Sequence, residues 1–487
     1  MTSVKISFSG HFISRTIQLP LSKSIVARML IMHPEKTLEY LHSQEQPLCE
    51  DIQVMMEAIE TINGQRPTVN GTINVQASGT AMRFLTALCC ITSGKWHLTG
   101  TSRLCQRPIK PLVDALRSLG ANISYDDKEG YPPLTIIGND KLPGGDVTID
   151  GSQSSQYVSA LMLVAKRFIT PLNIHIVGNN SSQPYINLTK TLIDTPFSTS
   201  LFEGDWSAAA FWYEINSLLP SGTAKLTFSN LSQNSLQGDK ITHDIFSQIE
   251  SLSPQQTFHY DFRNNPDLVQ PVVVTCVAKS IPFQFTGVEN LRIKETDRLS
   301  ALQTELRKLG YSIAIITTSD NKTTITYKPQ NRIVTKPDER ITITTFDDHR
   351  MAMAFAPLAI LFPSITIDNQ QVPNKSYPNF WEEIKSVGFK VNSQAVNEPD
   401  GECCGLHTFC EKTGKFNGPT AEDYFEDEEL DRFQGRMSDQ YTDEEIEEFR
   451  EVLYTMRQNE VPDWLAALNV RQIQLPDQLK DEAIMLI

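Results

Sequence analysis

Eight cationic residues stand in surroundings where a folded chain rarely places them. Lys23, Arg28, Arg83, Arg107, Lys294, Arg298, Arg350 and Lys375 lie in or beside helix-like motifs, several of them next to long apolar runs such as SKSIVARMLIM, SGTAMRFLTALCCI and DDHRMAMAFAPLAIL. Lysine and arginine are seldom buried unless paired or bound to a ligand. A small ligand carrying phosphate and carboxylate groups would account for the set, because guanidinium forks match both. Internal salt bridges to Glu295, Asp297, Asp347 and Asp348 would also account for them. Any one position is evenly balanced between those readings; recurrence in similar settings favours the ligand. Nucleic acid is a poor competitor, since there is no basic stripe and no aromatic stacking pattern.

Two kinds of helix must position these side chains. One kind is almost wholly apolar but opens with small or charged residues. It starts near Ser22, Ser78, Ser154, Trp206, Pro266 and Asp347. The other is amphipathic, often ends in glycine, and starts near Glu50, Pro108, Tyr185, Ile241, Thr296 and Tyr377. The offsets from each apolar start to its amphipathic partner are 28, 30, 31, 35, 30 and 30 residues. With β-rich segments such as KWHLTG and DVTIDG between them, this spacing predicts six copies of one α/β unit. A helix apolar on all sides must be buried. Its N-terminus leaves N–H groups free and favours anions, so six such ends predict a cleft for anionic ligands. For any single helix, ordinary N-capping by Ser and Asp is the better explanation, since such caps are common. It does not explain Lys and Arg in first turns, where they oppose the helix dipole.

The 487 residues exceed one core and predict two or three domains. Apolar residues at 40% and charged residues at 21% exclude wholesale disorder. The net charge of −15 is unevenly spread: 23 acidic and 8 basic residues fall in 398–487, leaving 35 of each sign before it. The stretch SQAVNEPDG, Ser393 to Gly401, therefore reads as a linker to an acidic extension, 402–487. The longest apolar run, Met351 to Phe362, is too short to span a bilayer, and residues 1–20 alternate like a strand without a signal-peptide core. Eight cysteines with the adjacent pairs Cys89-Cys90 and Cys403-Cys404 fit a reduced, cytoplasmic protein.

Nine segments in unbroken order resemble 5-enolpyruvylshikimate-3-phosphate (EPSP) synthase, or 3-phosphoshikimate 1-carboxyvinyltransferase. They are LPLSKSIVARML, ASGTAMRFLTA, RPIKPLVDALRSLGA, GSQSSQYVSAL, SSQPYINLT, PDLVQPVVVT, IKETDRLSALQTELRKLG, FDDHRMAMAFAPLA and NKSYPNFWEEI. The resemblance runs to about residue 391. It implies a two-domain inside-out α/β barrel of six βαβαββ units, with a small helical C-terminal module appended. The second domain would span 22–202; the first would combine 1–21 with 203–392.

The implied reaction transfers the enolpyruvyl group of phosphoenolpyruvate to the 5-hydroxyl of shikimate 3-phosphate and releases phosphate, on the route to chorismate and aromatic amino acids. The resemblance assigns Lys23, Ser24, Arg28, Ser154, Ser155, Gln156, Ser182, Tyr185, Asn290 and Lys294 to shikimate 3-phosphate. Phosphoenolpyruvate would meet Lys23, Gly79, Arg107, Gln156, Arg298, Arg350 and Lys375, with Arg83 close by. Asp267 matches the base that accepts the hydroxyl proton while contacting that substrate, and Glu295 the acid that protonates the methylene carbon; Lys23 joins them as a catalytic residue. No cofactor, metal, nucleic acid or membrane is implied, and a monomer is expected. Gly79 matches the position that governs glyphosate access, so inhibition by glyphosate is expected.

Some features depart from the pattern. Ala77 replaces an asparagine common in the family, and the chain is short between Asp194 and Glu203 and over 249–257, so two sheets should be incomplete. A catalytically impaired relative is one alternative. The sister family acting on UDP-N-acetylglucosamine is another, since it uses a loop cysteine and Cys105 lies in RLCQRP. KETDRL, SSQ and DDHRMAM favour the shikimate enzyme. In the extension, Thr442 and Glu445 read as a capping box before Ile446, Phe449, Leu453 and Met456 at helical spacing. Pro462 and Pro476 open two more helices. Cys403, Cys404, His407 and Cys410 in CCGLHTFC are compact enough for zinc or iron, although known zinc spacings differ and reduced cysteines are common.

Overall fold

The computed structural model describes residues 2–64, 70–178, 182–220, 226–253, 256–319, 321–329 and 341–394 of the larger part. Beyond these it describes 409–410, 415–416, 427–436, 438, 440–455, 461–471 and 473–485. The chain divides into two units, Met1–Ala395 and Val396–Ile487.

In the larger unit three four-stranded sheets share one pattern: a parallel pair followed by two antiparallel neighbours. One runs Asn70–Asn74, Gly94–Thr99, Leu134–Gly138, Asn122–Tyr125. The next runs Phe258–Asp261, Phe283–Thr286, Thr323–Tyr327, Ile313–Thr317. The last runs Thr342–Ile343, Ile365–Ile367, Ser3–Phe8, Phe389–Gln394. There the N-terminal strand fills the third place, so the first residues of this unit complete its final copy. Parallel strands need a crossover. An apolar helix supplies it: Gly79–Cys90, Val269–Ala278 and His349–Phe355 respectively.

Two copies keep only the parallel pair among the described residues: Gly144–Asp150 with Thr170–Val177, and Thr16–Ile17 with Thr227–Phe228. Their crossover helices are Ser155–Val164 and Trp206–Leu218. Between Asp194 and Glu203 the chain makes only the 3-10 turn Thr199–Leu201, which explains the missing strands of the first. The remaining copy, the first in the chain, departs from the six-fold expectation. Helices Lys23–Met32 and Glu50–Gly64 are present, but no sheet of their own occurs among the described residues. Pro34 opens the helix Pro34–His42 where the other copies enter a strand, because proline fits a helix's first turn and cannot donate to a ladder.

Apolar side chains gather in two cores. One is built from residues between Ile25 and Phe202. The other combines Val4 to Leu19 with Trp206 to Val391. In each, three apolar helices touch one another: Lys23–Met32, Gly79–Cys90 and Ser155–Val164 in one, Trp206–Leu218, Val269–Ala278 and His349–Phe355 in the other. No helix among the described residues is long and apolar enough to cross a membrane.

The smaller unit has helices Asp443–Thr455, Val461–Val470 and Asp477–Met485 around Phe449, Leu453, Trp464 and Leu479. The expected capping box is present: Thr442 N–H donates to Glu445 Oε2 (2.9 Å) and Glu445 N–H to Thr442 Oγ1 (3.4 Å). Cys403, Cys404 and His407 lie outside the described residues, as do Met456 and the side chain of Cys410.

Candidate active site

All six apolar helices begin on one solvent-open cleft of about 1130 Å³. Its walls include Lys23, Gly79, Ser155, Ser207, Asp267 and His349, each at or just beside one of those six starts. The capping explanation holds for three of the helices. Ser154 accepts from Gln156 N–H, Asp205 from Ser207 and Ala208 N–H, and Asp348 from Arg350 N–H. Ser22 and Ser78 make no such side-chain cap, and Asp205 Oδ2 meets the Lys23 N–H at 3.3 Å instead.

Cation pairs and carboxylates interlock at the centre. Arg298, 1% exposed, donates through Nε to Asp348 (2.6 Å), through Nη1 to Asp267 (2.9 Å) and through Nη2 to Glu295 (2.9 Å). Arg350 reaches Asp267 Oδ2 at 3.1 Å and also donates to its backbone carbonyl. Lys375 holds Glu295 at 2.9 Å, and Arg107 stands 4.0 Å from the same oxygen. The internal salt-bridge reading is therefore true of Glu295 and Asp348. Asp297 instead caps its own helix and pairs with Arg292, and Asp347 accepts from Asn369.

Burial alone would raise the Asp267 carboxyl, but Arg350, Lys294 and Arg298 outweigh it and hold the group well below the usual carboxylate range. Glu295 behaves alike: burial opposes ionisation, and Lys375, Arg298 and Arg107 overcome it. Burial pulls Lys294 down despite Asp267. Burial would lower Lys23 too, yet Asp51 at 3.0 Å raises it.

The remaining predicted residues join this cleft. Ser24, Arg28, Ser154, Ser155, Gln156, Ser182, Tyr185, Asn290 and Lys294 all line it. Gln156 Nε2 donates to Thr80 Oγ1 (2.8 Å). Arg28 differs from the rest, because its donors already meet Thr189 Oγ1 (2.7 Å), Ser24 O (2.7 Å) and Tyr185 O (3.1 Å). Arg83 and Lys375 lie behind the wall rather than in it. A Cβ on Gly79 would fall 2.8 Å from Arg107 Nη1 and 2.9 Å from Arg83 Nη1. Glycine thus lets both guanidinium groups crowd one helix start. Phe346 and Asp347, just before His349, both take left-handed backbone angles (φ 52° and 56°), strain of the kind that collects at functional sites.

Sequence reasoning missed Asp51, Asp239 and His349. Asp51 opens an amphipathic helix, where an acid already suits the dipole, so nothing marks it as the partner of Lys23. Asp239 takes hydrogen bonds from Ser207 Oγ and Asn265 Nδ2; burial and the neighbouring Asp267 push its carboxyl up to about 6. Neither ring nitrogen of His349 finds a hydrogen-bond partner, and burial with Lys23, Arg350 and Lys375 drives it well below its usual value, so it is neutral. Cys105 points its thiol at the Gly100 carbonyl (3.7 Å) and does not line the cleft, which removes the one feature suggesting the sister family.

The family model for EPSP synthase (3-phosphoshikimate 1-carboxyvinyltransferase) matches residues 10–197 and 196–384. The chain belongs to the EPSP synthase family. It is 39% identical over 419 residues to the Bacteroides fragilis protein named 3-phosphoshikimate 1-carboxyvinyltransferase, covering 78% of this chain and 96% of the relative. A Methanospirillum hungatei protein of the same name is 32% identical over 65% of this chain and 79% of its own length. A solved EPSP synthase from Acinetobacter baumannii covers 80% of this chain and all of that one at 17% identity, with a TM-score of 0.57, which shows the shared fold. The family model ends at residue 384, so the acidic unit of this EPSP synthase family member lies beyond it.

Proposed function

We propose that the cleft transfers the enolpyruvyl group of phosphoenolpyruvate to the 5-hydroxyl of shikimate 3-phosphate. The observation that carries this reading is Arg298, whose one guanidinium holds both Asp267 and Glu295 at 2.9 Å among the starts of six helices. An acid and a base on either side of one reacting carbon are what addition followed by elimination needs.

Lys23, Ser24, Ser154, Ser155 and Ser182 take the shikimate phosphate through hydroxyl, ammonium and helix N–H donors. Gln156, Tyr185, Asn290 and Lys294 contact the rest of that substrate, while Arg28 shapes the floor. Arg107, Arg298 and Arg350 receive the phosphate and carboxylate of phosphoenolpyruvate beside Gly79, with Lys375 and Arg83 adding positive charge from just behind the wall. In the free cleft these cations hold Asp267 and Glu295 ionised. Two polyanionic substrates neutralise part of this positive charge, so Glu295 rises toward a value at which it carries a proton, while Asp267 stays ionised and able to accept one. Glu295 then gives its proton to the methylene carbon. The 5-hydroxyl oxygen bonds to C2 as Asp267 takes the hydroxyl proton, forming a tetrahedral phospho-ketal. Phosphate leaves with its bonding pair as the methyl group returns a proton to the Glu295 carboxylate and the double bond re-forms.

The two cores, 22–202 and 1–21 with 203–392, act as domains that close over the substrates and exclude water. Every group named above comes from one chain, so the proposed site needs no residue of a second copy. The free Cys49, Cys89, Cys90, Cys105 and Cys276 support a reducing, cytoplasmic setting. The test is phosphate release from the two substrates together. Release by the parent chain and a fall of about 10²- to 10⁴-fold in Asp267→Asn is expected; no release by the parent would sink the reading.

A further inference from the structure

Arg103 lies outside the catalytic set yet reaches it. It stands exposed on the short helix Ser102–Cys105, where Leu104 is buried in the first core. Its Nε donates to the Glu295 carbonyl (3.0 Å) and its Nη2 to the Lys294 carbonyl (3.1 Å). These acceptors lie between Leu291 and Leu299, both buried in the other core. One planar fork therefore spans two consecutive carbonyls, from one core to the other. A weaker contact, Asn290 Nδ2 to Ser152 O (3.4 Å), crosses at the same place.

We propose that Arg103 is a positioning residue that latches the cleft and, in the same act, sets Lys294 and Glu295. The Glu295 carboxylate is already drawn toward Arg298 and Lys375, so its backbone decides where along that pull the acid sits. Lys294 takes extended backbone angles between a 3-10 turn and the next helix, outside any regular ladder. Such a segment moves unless something fixes it. A guanidinium on an exposed surface can release and re-form these bonds at little energetic cost, as a latch must. Arg107 follows four residues later on the same segment and lines the cleft. Closing the latch therefore delivers Arg107 and Glu295 together.

This inference rests on the enolpyruvyl-transfer reading, and its test separates the two. Steady-state phosphate release is measured for the full chain, Arg103→Ala and Arg103→Lys, with thermal midpoints alongside. Arg103→Ala should lower kcat about tenfold with KM for shikimate 3-phosphate within about twofold and an unchanged midpoint. Arg103→Lys should recover only part of the loss, since an ammonium cannot span two carbonyls as a fork does. Parental kcat in Arg103→Ala, full recovery by lysine, or a midpoint that falls with activity would overturn the latch while leaving the enzyme reading intact. A parent chain without turnover would remove both.

Discussion

Two buried arginines, one in each unit, look alike at first sight. Arg298 is 1% exposed and grips Asp348, Asp267 and Glu295; Arg471 is buried and grips Asp427 and Asp431. Their surroundings differ. Around Arg471 the pairing is closed: Asp427 also accepts from Trp464 Nε1 (2.9 Å), within the helical core. Around Arg298 the wall opens on a cleft lined by six cations, Lys23, Arg28, Arg107, Lys294, Arg298 and Arg350, against five carboxylates, Asp51, Asp205, Asp239, Asp267 and Glu295. Burial and pairing of an arginine thus mark structure; an excess of cations facing open space marks a ligand.

The sharpest way to break this comparison is to make the same change in both places. Arg298→Met should cut phosphate release by at least about 1000-fold, since it frees both proton-carrying carboxylates from their shared clamp. It should also cost about 3–5 kcal/mol of stability, because carboxylates are left buried and unpaired. Arg471→Met should cost its own unit a similar amount and leave turnover unchanged. Activity assays with calorimetry on the full chain read both. Loss of turnover in Arg471→Met would show that the separation is wrong.

A smaller effect distinguishes two aspartates within the cleft. Asp267 is held down by cations, whereas Asp239, 2% exposed, is pushed up to about 6 by burial and by Asp267, with Arg350 opposing. A carboxyl with a raised folded value keeps its proton while the unfolded chain has lost it, so stability falls as pH climbs from about 3.8 to 6. For Asp239 the fall is about 3 kcal/mol at most. Asp239→Asn removes it, and the variant should gain on the parent between pH 4 and pH 7 in denaturant titrations. A constant difference across that range would count against the assignment. Asp267 works in the opposite sense: it contributes stability above the ordinary carboxylate value and loses it as pH falls.

These contrasts explain what could be read from the sequence. The six apolar helices were visible because burial on all sides writes itself as an unbroken apolar run, and their polar first residues pointed to one cleft. Lys23, Arg28, Arg83 and Arg350 stood out as charges in those runs, and Arg107 and Arg298 as charges at the starts of amphipathic partners. Asp51 and Asp239 did not, because an acid at a helix start or turn has an ordinary explanation; what makes them part of the site is a neighbour more than twenty residues away. The missing sheet of the first copy was hidden for a related reason. Its helix spacing of 28 residues matches the other copies, so the periodicity survives although Pro34 has turned a strand into a helix.

The gentlest test uses a device both units share, the N-cap. Asp205 caps the helix Trp206–Leu218 through Ser207 N–H (2.8 Å) and Ala208 N–H (3.3 Å), and its second oxygen meets Lys23 N–H at 3.3 Å. That cap is part of the cleft wall, so its loss would disturb stability and chemistry together. Thr442 caps the helix Asp443–Thr455 within the acidic unit. Thr442→Ala should therefore cost about 1 kcal/mol, felt first as faster hydrogen exchange at the amides of residues 443–446. Phosphate release should stay at the parental rate. If so mild a change in the acidic unit altered turnover, the unit would have to act on the cleft, and the division between a structural and a ligand-facing use of charge would fail at its smallest scale.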